Sequence, residues 1–247
     1  MKTYRSLWMI VALMLAFSMS SCSSSDKDID ETLIRELDNT KTLFTHEDFK
    51  AIYHDYDETT NGTWMIWKTD GILNQISFFT QGVDSAPSPA SPKTIEEFFS
   101  DFLPLTADNQ MVSSGKDFLG DLCYLQYYKG VPVEKGRWRI TFLDGVIQGA
   151  YGNFVSIGEL DVNPSVNLAT AKKIVENYIH ESVEGESKRF YLSIMSFPEN
   201  GKLKPRLVYV YKRQVWEEGD FIYVDAQTGR LLYHICYMGG APYGSPY

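Results

Sequence analysis

Gln126-Tyr-Tyr-Lys-Gly-Val-Pro-Val133 and, after three residues, Arg137-Trp-Arg-Ile-Thr-Phe-Leu-Asp-Gly-Val-Ile-Gln-Gly-Ala-Tyr-Gly-Asn153 decide how this chain folds. Lys129-Gly130 is a tight-turn pair, and Asp144-Gly145 closes a two-residue hairpin. Pro132 donates no ladder bond and is restricted to an edge or the start of a strand. Three antiparallel strands follow from these turns. Trp138, Ile140 and Phe142 alternate with Arg137, Arg139 and Thr141, so one face is dry and the other wet. The wet face is cationic, and Arg137 and Arg139 become candidate partner-binding residues.

Working outward, the first 21 residues are not read as fold. A basic start (Lys2, Arg5), an apolar run from Leu7 to Met19 and the small residues before Cys22 form an export signal, too short for a spanning helix. Met19-Ser-Ser-Cys22 resembles a bacterial lipobox, with Met19 where Leu is usual. That resemblance implies lipidation at Cys22. Ser23 to Glu31 is small, polar and acidic, a composition of a tether. Serines followed by acids resemble the surface-export signal of Bacteroidetes lipoproteins, and no Asp directly follows Cys22. An outer-membrane lipoprotein, periplasm-facing or on the cell surface, is the implied location.

Loss of residues 1 to 21 removes Lys2 and Arg5, so the net charge moves from −9 to −11. Such an acidic chain is a poor nucleic-acid ligand. Two cysteines remain, Cys123 and Cys236. An oxidising compartment permits a bond between them, while the composition also fits two small unpaired strand residues.

Ile29, Leu33 and Leu37 recur at helical spacing, and Thr45-His-Glu-Asp48 caps a second helix carrying Phe49, Ile52, Tyr53 and Tyr56. Asp55, Asp57 and Asn61 resemble a calcium loop in composition only: the sixth position lacks Gly and the twelfth is Ile66, so Asp55 to Gly62 reads as a solvated turn. Thr63 to Lys68 and Ile72 to Thr80 flank the turn pair Asp70-Gly71. Ser85 to Pro92 is a Pro/Ser linker whose Ser91-Pro92 is expected to cap the next helix. Ile95, Phe98, Phe99 and Phe102 give that helix its apolar face, and Pro104 stops it. A second capped helix spans Asn167 to His180, with Ala171, Ile174, Val175, Tyr178 and Ile179 on one side. Strands follow at Arg189 to Met195, Arg206 to Lys212, Phe221 to Val224 and Leu231 to Tyr237. The helix-then-antiparallel-strands order therefore occurs twice.

Ser91 to Phe154 resembles the fungalysin/thermolysin propeptide domain in its helix, the Gln126 to Val133 run, the Asp144-Gly145 turn and the Gly152-Asn153 pair. Glu134-Lys135 departs from that pattern, which often has an aromatic or small residue before the glycine at 136. Asn163 to Tyr233 resembles the PepSY domain that follows it in such propeptides, through Ala171, the strand Arg206-Leu-Val-Tyr-Val-Tyr211 and the hairpin Tyr223-Val-Asp-Ala-Gln-Thr-Gly229. The expected fold class is α+β: two consecutive helix-on-antiparallel-sheet, cystatin-like units behind an N-terminal helix and hairpin extension. The expected divisions are a signal peptide (1–21), a tether and short helix (22–44), the extension and linker (45–90), a first domain (91–162), a PepSY-like domain (163–237) and a flexible tail (238–247).

In the family resembled, a zinc peptidase follows these two domains. Its His-Glu-x-x-His helix is not among these 247 residues: His46-Glu47 is followed by Lys50 and His180-Glu181 by Glu184. No nucleophile and base, carboxylate pair or metal-ligand spacing stands out, so neither catalysis nor a cofactor is expected. Asp225, just before Gly229, reads as an acceptor of backbone N–H bonds in a turn. His234, alternating with apolar neighbours, reads as strand packing. Trp64, Trp67, Tyr124, Tyr127, Tyr128, Tyr209 and Tyr211 read mostly as sheet packing, with an exposed subset able to bind peptide or sugar. In the tail, Tyr243 and Tyr247 are candidate anchors in a partner's cleft, with a disordered terminus as the alternative. The functional expectation is a non-catalytic lipoprotein that inhibits, or assists the folding of, an exported metallopeptidase; the rival is a surface lipoprotein that binds glycan or peptide through aromatics.

Overall fold

A computed structural model describes residues 28–50, 57–60, 65–69, 72–77, 94–143, 146–215, 218–238 and 241–242. Among them are four helices: α1 (Glu31–Glu36), α2 (His46–Lys50), α3 (Ile95–Phe102) and α4 (Leu168–Ile179). Twelve strands accompany them: β1 (Asp57–Thr60), β2 (Met65–Thr69), β3 (Ile72–Ser77), β4 (Asn109–Lys116), β5 (Leu122–Tyr128), β6 (Val131–Leu143), β7 (Val146–Asn153), β8 (Lys188–Glu199), β9 (Lys202–Val215), β10 (Glu218–Asp225), β11 (Leu231–Met238) and β12 (Ala241–Pro242). They join into an open sheet in the order β1, β2, β3, β7, β6, β8, β9, β10, β11, β12, with β5 also on β6 and β4 on β5.

Helix α3 starts where a capping box can close. Thr94 Oγ1 accepts from Glu97 N at 3.1 Å, and Glu97 Oε2 accepts from Thr94 N at 3.2 Å. The helix cap is therefore Thr94, three residues beyond the Ser91 expected from the sequence, which itself lies outside the described residues. Phe98, Phe99 and Leu103 are buried against Trp138, Ile140, Ile147, Ala150 and Phe154. The rings of Phe98 and Trp138 meet edge to face at 5.6 Å, as do those of Phe99 and Tyr124 at 4.9 Å. The dry face read from Trp138 and Ile140 is therefore the face under this helix.

The Gln126 to Val133 run performs a separate task at each residue. Gln126 is fully buried; its Nε2 donates to Asn109 Oδ1 (2.8 Å) and Val155 O (2.7 Å), and its Oε1 accepts from Val155 N (2.8 Å). Tyr128 Oη donates to Gly158 O at 3.0 Å. Lys129 and Gly130 both have positive φ (48° and 81°), the two-residue turn whose twist matches a hairpin. Pro132 O accepts from Ser193 Oγ at 2.8 Å, and Val133 pairs in parallel with Ile194. That pairing carries the sheet from the first half of the chain into the second.

In the second half, Asn167 caps α4 by accepting from Thr170 N, and His180 ends it in the left-handed conformation at φ 58°. Thr170, Ala171, Ile174 and Val175 are its buried residues, and the last three pack on Leu207, Tyr209, Tyr211, Ile222 and Val224. The opposite face of the same strands is covered by Phe49, with Phe44 beside it, over Phe197, Val208, Val210, Tyr223 and Tyr233. From Asp28 onward, the segment read as tether and short helix is docked on this half. Leu33 and Leu37 pack on the α4 cluster, Asp30 N donates to Thr170 Oγ1, and Phe44 N donates to Leu232 O at 2.8 Å.

The chain is thus α+β, dominated by an open sheet with few, short helices. Three strands depart from expectation. Ala241–Pro242, in the segment expected to be a flexible tail, pairs with Tyr237 and Met238 of β11. Asp57–Thr60, expected to be part of a solvated turn, pairs with Met65–Thr69. Asn109–Lys116, too polar to show a strand period, is recruited by pairing with β5. The hairpins expected around Asp70-Gly71 and Asp144-Gly145 are closed by the pairs Thr69↔Ile72 and Leu143↔Val146; the turn residues themselves lie outside the described residues.

Candidate functional site

Register places the wet face of the first half. Val112, Leu125, Arg137 and Asn153 lie in one cross-strand row over β4 to β7, and Cys123, Arg139 and Tyr151 lie in the next. Directly paired residues share a face, so both rows point away from α3. Val112, Leu125, Arg137 and Tyr151 are exposed. Four neighbouring strands therefore present aliphatic, aromatic and guanidinium groups to solvent together.

The β4–β5 loop extends this face. Asp117 Oδ1 accepts from Leu119 N (2.9 Å) and Asp121 N (3.0 Å), and Asp117 O accepts from Gly120 N (3.1 Å). Its other carboxylate oxygen lies 3.1 Å from Arg139 Nη1. Arg139 also donates to Tyr151 Oη at 2.7 Å, a bond that holds the guanidinium above its usual range. With its base fixed in this way, the loop holds Phe118 88% exposed and Leu119 69% exposed. Two large apolar side chains thus stand in solvent on a loop whose first residue is tied to Arg139 of the wet face.

A second cluster lies at the far end of the sheet. His234 and Cys236 are two residues apart on β11, and Asp220 on β10 is the direct register partner of Cys236. Cys236 Sγ donates to Asp220 Oδ1 at 2.8 Å, His234 Nε2 lies 3.4 Å from the same oxygen, and Sγ and Nε2 are 3.6 Å apart. Arg213 Nε donates to Asp220 Oδ2 at 3.0 Å, and Arg213 Nη1 to Glu181 Oε1 at 2.7 Å. Tyr178 Oη, from α4, lies 3.2 Å from His234 Nδ1. Burial works to raise the Asp220 pKa, but hydrogen bonds from Cys236 and Arg213 outweigh it and hold the carboxyl below its ordinary value. Burial, reinforced by the bond to Asp220, pushes the Cys236 thiol up to about 11. The sulfur is protonated at neutral pH and is not poised as a nucleophile.

No family model and no curated protein matches the chain. Among solved structures, it is similar to the Bacillus megaterium YpeB C-terminal domain at 9% identity, over 86% of this chain and 99% of that one, with a TM-score of 0.31. That similarity is too slight to assign a family.

Of the partner-binding residues expected from the sequence, Arg137 and Arg139 fall on the wet face, with Arg139 engaged by Asp117 and Tyr151. Cys22, Tyr243 and Tyr247 lie outside the described residues. Asp225 is buried and accepts from Gln227 N and Thr228 N, both at 2.9 Å, as its turn position implies. Cys123 and Cys236 are both unbonded thiols. Tyr128, Tyr209 and Tyr211 are core, Tyr124 and Tyr127 are half-buried, and among the described residues Tyr151 is the exposed tyrosine of the sheet; Trp64 and the side chain of Trp67 lie outside them. Phe118-Leu119 carries no sequence signal beyond its position between Asp117 and Gly120. Among the described residues, no helix is long and apolar enough to cross a membrane.

Proposed function

We propose that this chain is a non-catalytic, PepSY-like lipoprotein, anchored through Cys22 at the outer membrane, that docks a separate exported protein on the outer face of β4 to β7. The supporting observation is the exposed Phe118-Leu119 tip, tied through Asp117 to Arg139 of the face that also exposes Val112, Leu125, Arg137 and Tyr151. Apolar and aromatic anchors ringed by a cation have the composition of a protein interface. The resemblance of Gln126 to Asn153 to a propeptide points to an exported metallopeptidase as the partner. On that reading the two helix-on-sheet halves, cystatin-like in arrangement, act as an inhibitor or folding assistant.

The test uses the mature protein with a thermolysin-like peptidase from the same cell. Peptidase activity should fall, or its refolding yield rise, on addition of the protein, and the Phe118→Ser/Leu119→Ser double variant should lose the effect. If the protein leaves every such peptidase untouched and none co-purifies with it, the reading fails. The exposure of Tyr151 supports a second reading, glycan or peptide binding, for which a glycan array that shows binding abolished by Tyr151→Ala is the discriminating result.

A further inference from the structure

From the geometry of Asp220, His234 and Cys236, we infer a three-ligand zinc site with one open position. It is separate from the docking face and does not depend on it. Tetrahedral zinc, with bonds of about 2.3 Å to sulfur and about 2.0–2.2 Å to nitrogen and oxygen, sets ligand separations of about 3.6 Å for S to N, 3.4 Å for N to O and 3.6 Å for S to O. The first two match the observed 3.6 Å between Cys236 Sγ and His234 Nε2 and 3.4 Å between Nε2 and Asp220 Oδ1. The third is shorter, 2.8 Å, across the hydrogen bond that the Cys236 S–H donates to Asp220 Oδ1. Zinc replaces that hydrogen: the S–H bond breaks, its proton leaves to solvent, the S–Zn bond forms, and the pair opens by less than an ångström.

The surroundings fit the same role. His234 turns Nε2 toward the other two ligands while Nδ1 faces the Tyr178 hydroxyl, the arrangement by which an outer group fixes a ligating imidazole. Arg213 holds Asp220 through Oδ2 and leaves Oδ1 for the metal. Carboxylate and thiolate together balance the two charges of the ion. Thiolate, imidazole and carboxylate suit zinc and do not suit magnesium or calcium, which take oxygen ligands. Cys236 is exposed, so the ion has an entry path and the fourth position opens to water.

The experiment titrates the full mature chain, kept reduced, with zinc alone against a chromophoric chelator. One equivalent should bind with release of one proton, magnesium and calcium should not compete, and cobalt should give a thiolate charge-transfer band. Cys236→Ser and His234→Gln should each weaken zinc binding by about 100-fold or more, and Tyr178→Phe by about tenfold. Cys236→Ser alters an exposed side chain, and an unchanged circular dichroism spectrum checks that it is folded. No zinc uptake at micromolar concentration, or uptake that survives Cys236→Ser, overturns the inference.

Discussion

Gln126 binds Val155 through both ends of its carboxamide, accepting from Val155 N at 2.8 Å and donating to Val155 O at 2.7 Å. A side chain on β5 thereby takes the place of a strand for the segment that leaves β7, and Asn109 on β4 is tied to the same group. Gln126→Ala strands the Val155 N–H and C=O and the Asn109 carbonyl. Each buried polar group left unpaired costs about 1–3 kcal/mol. A loss of roughly 3 kcal/mol in urea unfolding is expected, and a change below about 0.5 kcal/mol would show that water replaces the amide.

Gly152 opposes Trp138 across the β6–β7 ladder, where a Cβ would lie 2.1 Å from Arg137 O and 2.7 Å from Trp138 Cα. Both neighbours are backbone and cannot swing aside. Gly152→Ala should therefore force the strands apart and cost about 3 kcal/mol, at the upper end for overpacking. Gly158 has open space around its Cβ direction, and Gly158→Ala should stay within about 0.5 kcal/mol of the parent. Similar melting temperatures for the two variants would refute the contact.

Legibility in the sequence follows periodicity and turn chemistry. Helix α4 is readable to the residue because Asn167 and His180 bracket an unbroken apolar face. The hairpin Glu199↔Lys202 does not stand out, although Asn200-Gly201 is a strong turn pair; Pro198 and Pro205 disguise the flanking residues as loop. Strand β4 is hidden for another reason, since a polar edge strand owes its conformation to its partner. The zinc-ligand cluster depends on register as well. His234 and Cys236 are adjacent in the period-two pattern, but the hairpin from Tyr223 to Gly229 does not by itself set Cys236 opposite Asp220, because a bulge between Tyr223 and Val224 shifts the register. The wet face is legible at Arg137 and Arg139, whereas Phe118-Leu119 needs the three-dimensional turn built by Asp117.

If Phe118 and Leu119 serve an interface, removing them should leave folding intact. Neither side chain belongs to a buried cluster, so substitution forfeits little burial. The Phe118→Ser/Leu119→Ser variant should unfold within about 0.5 kcal/mol of the parent. A large loss of stability would mean that the pair packs in the folded protein, and would remove it as a docking tip.

Lys135 gives the pH dependence a sign. It sits at φ 65° in the bulged start of β6 next to Glu134, and burial pushes its ammonium down to about 8 from 10.5. A base lowered on folding weakens the fold while both states are protonated, below about pH 8. Between that pH and 10.5 the unfolded chain holds the extra proton, so stability rises with pH. Other groups titrate in the same range, Tyr191 and Cys236 among them with raised values, so the informative quantity is a difference between two proteins. Lys135→Met removes the titrating group and keeps an unbranched apolar stem. The variant should be more stable than the parent by about 2 kcal/mol at pH 7, and the gap should shrink on going to pH 10. Urea unfolding of both proteins at the two pH values checks this; a gap that stays constant or widens would place the Lys135 ammonium in water.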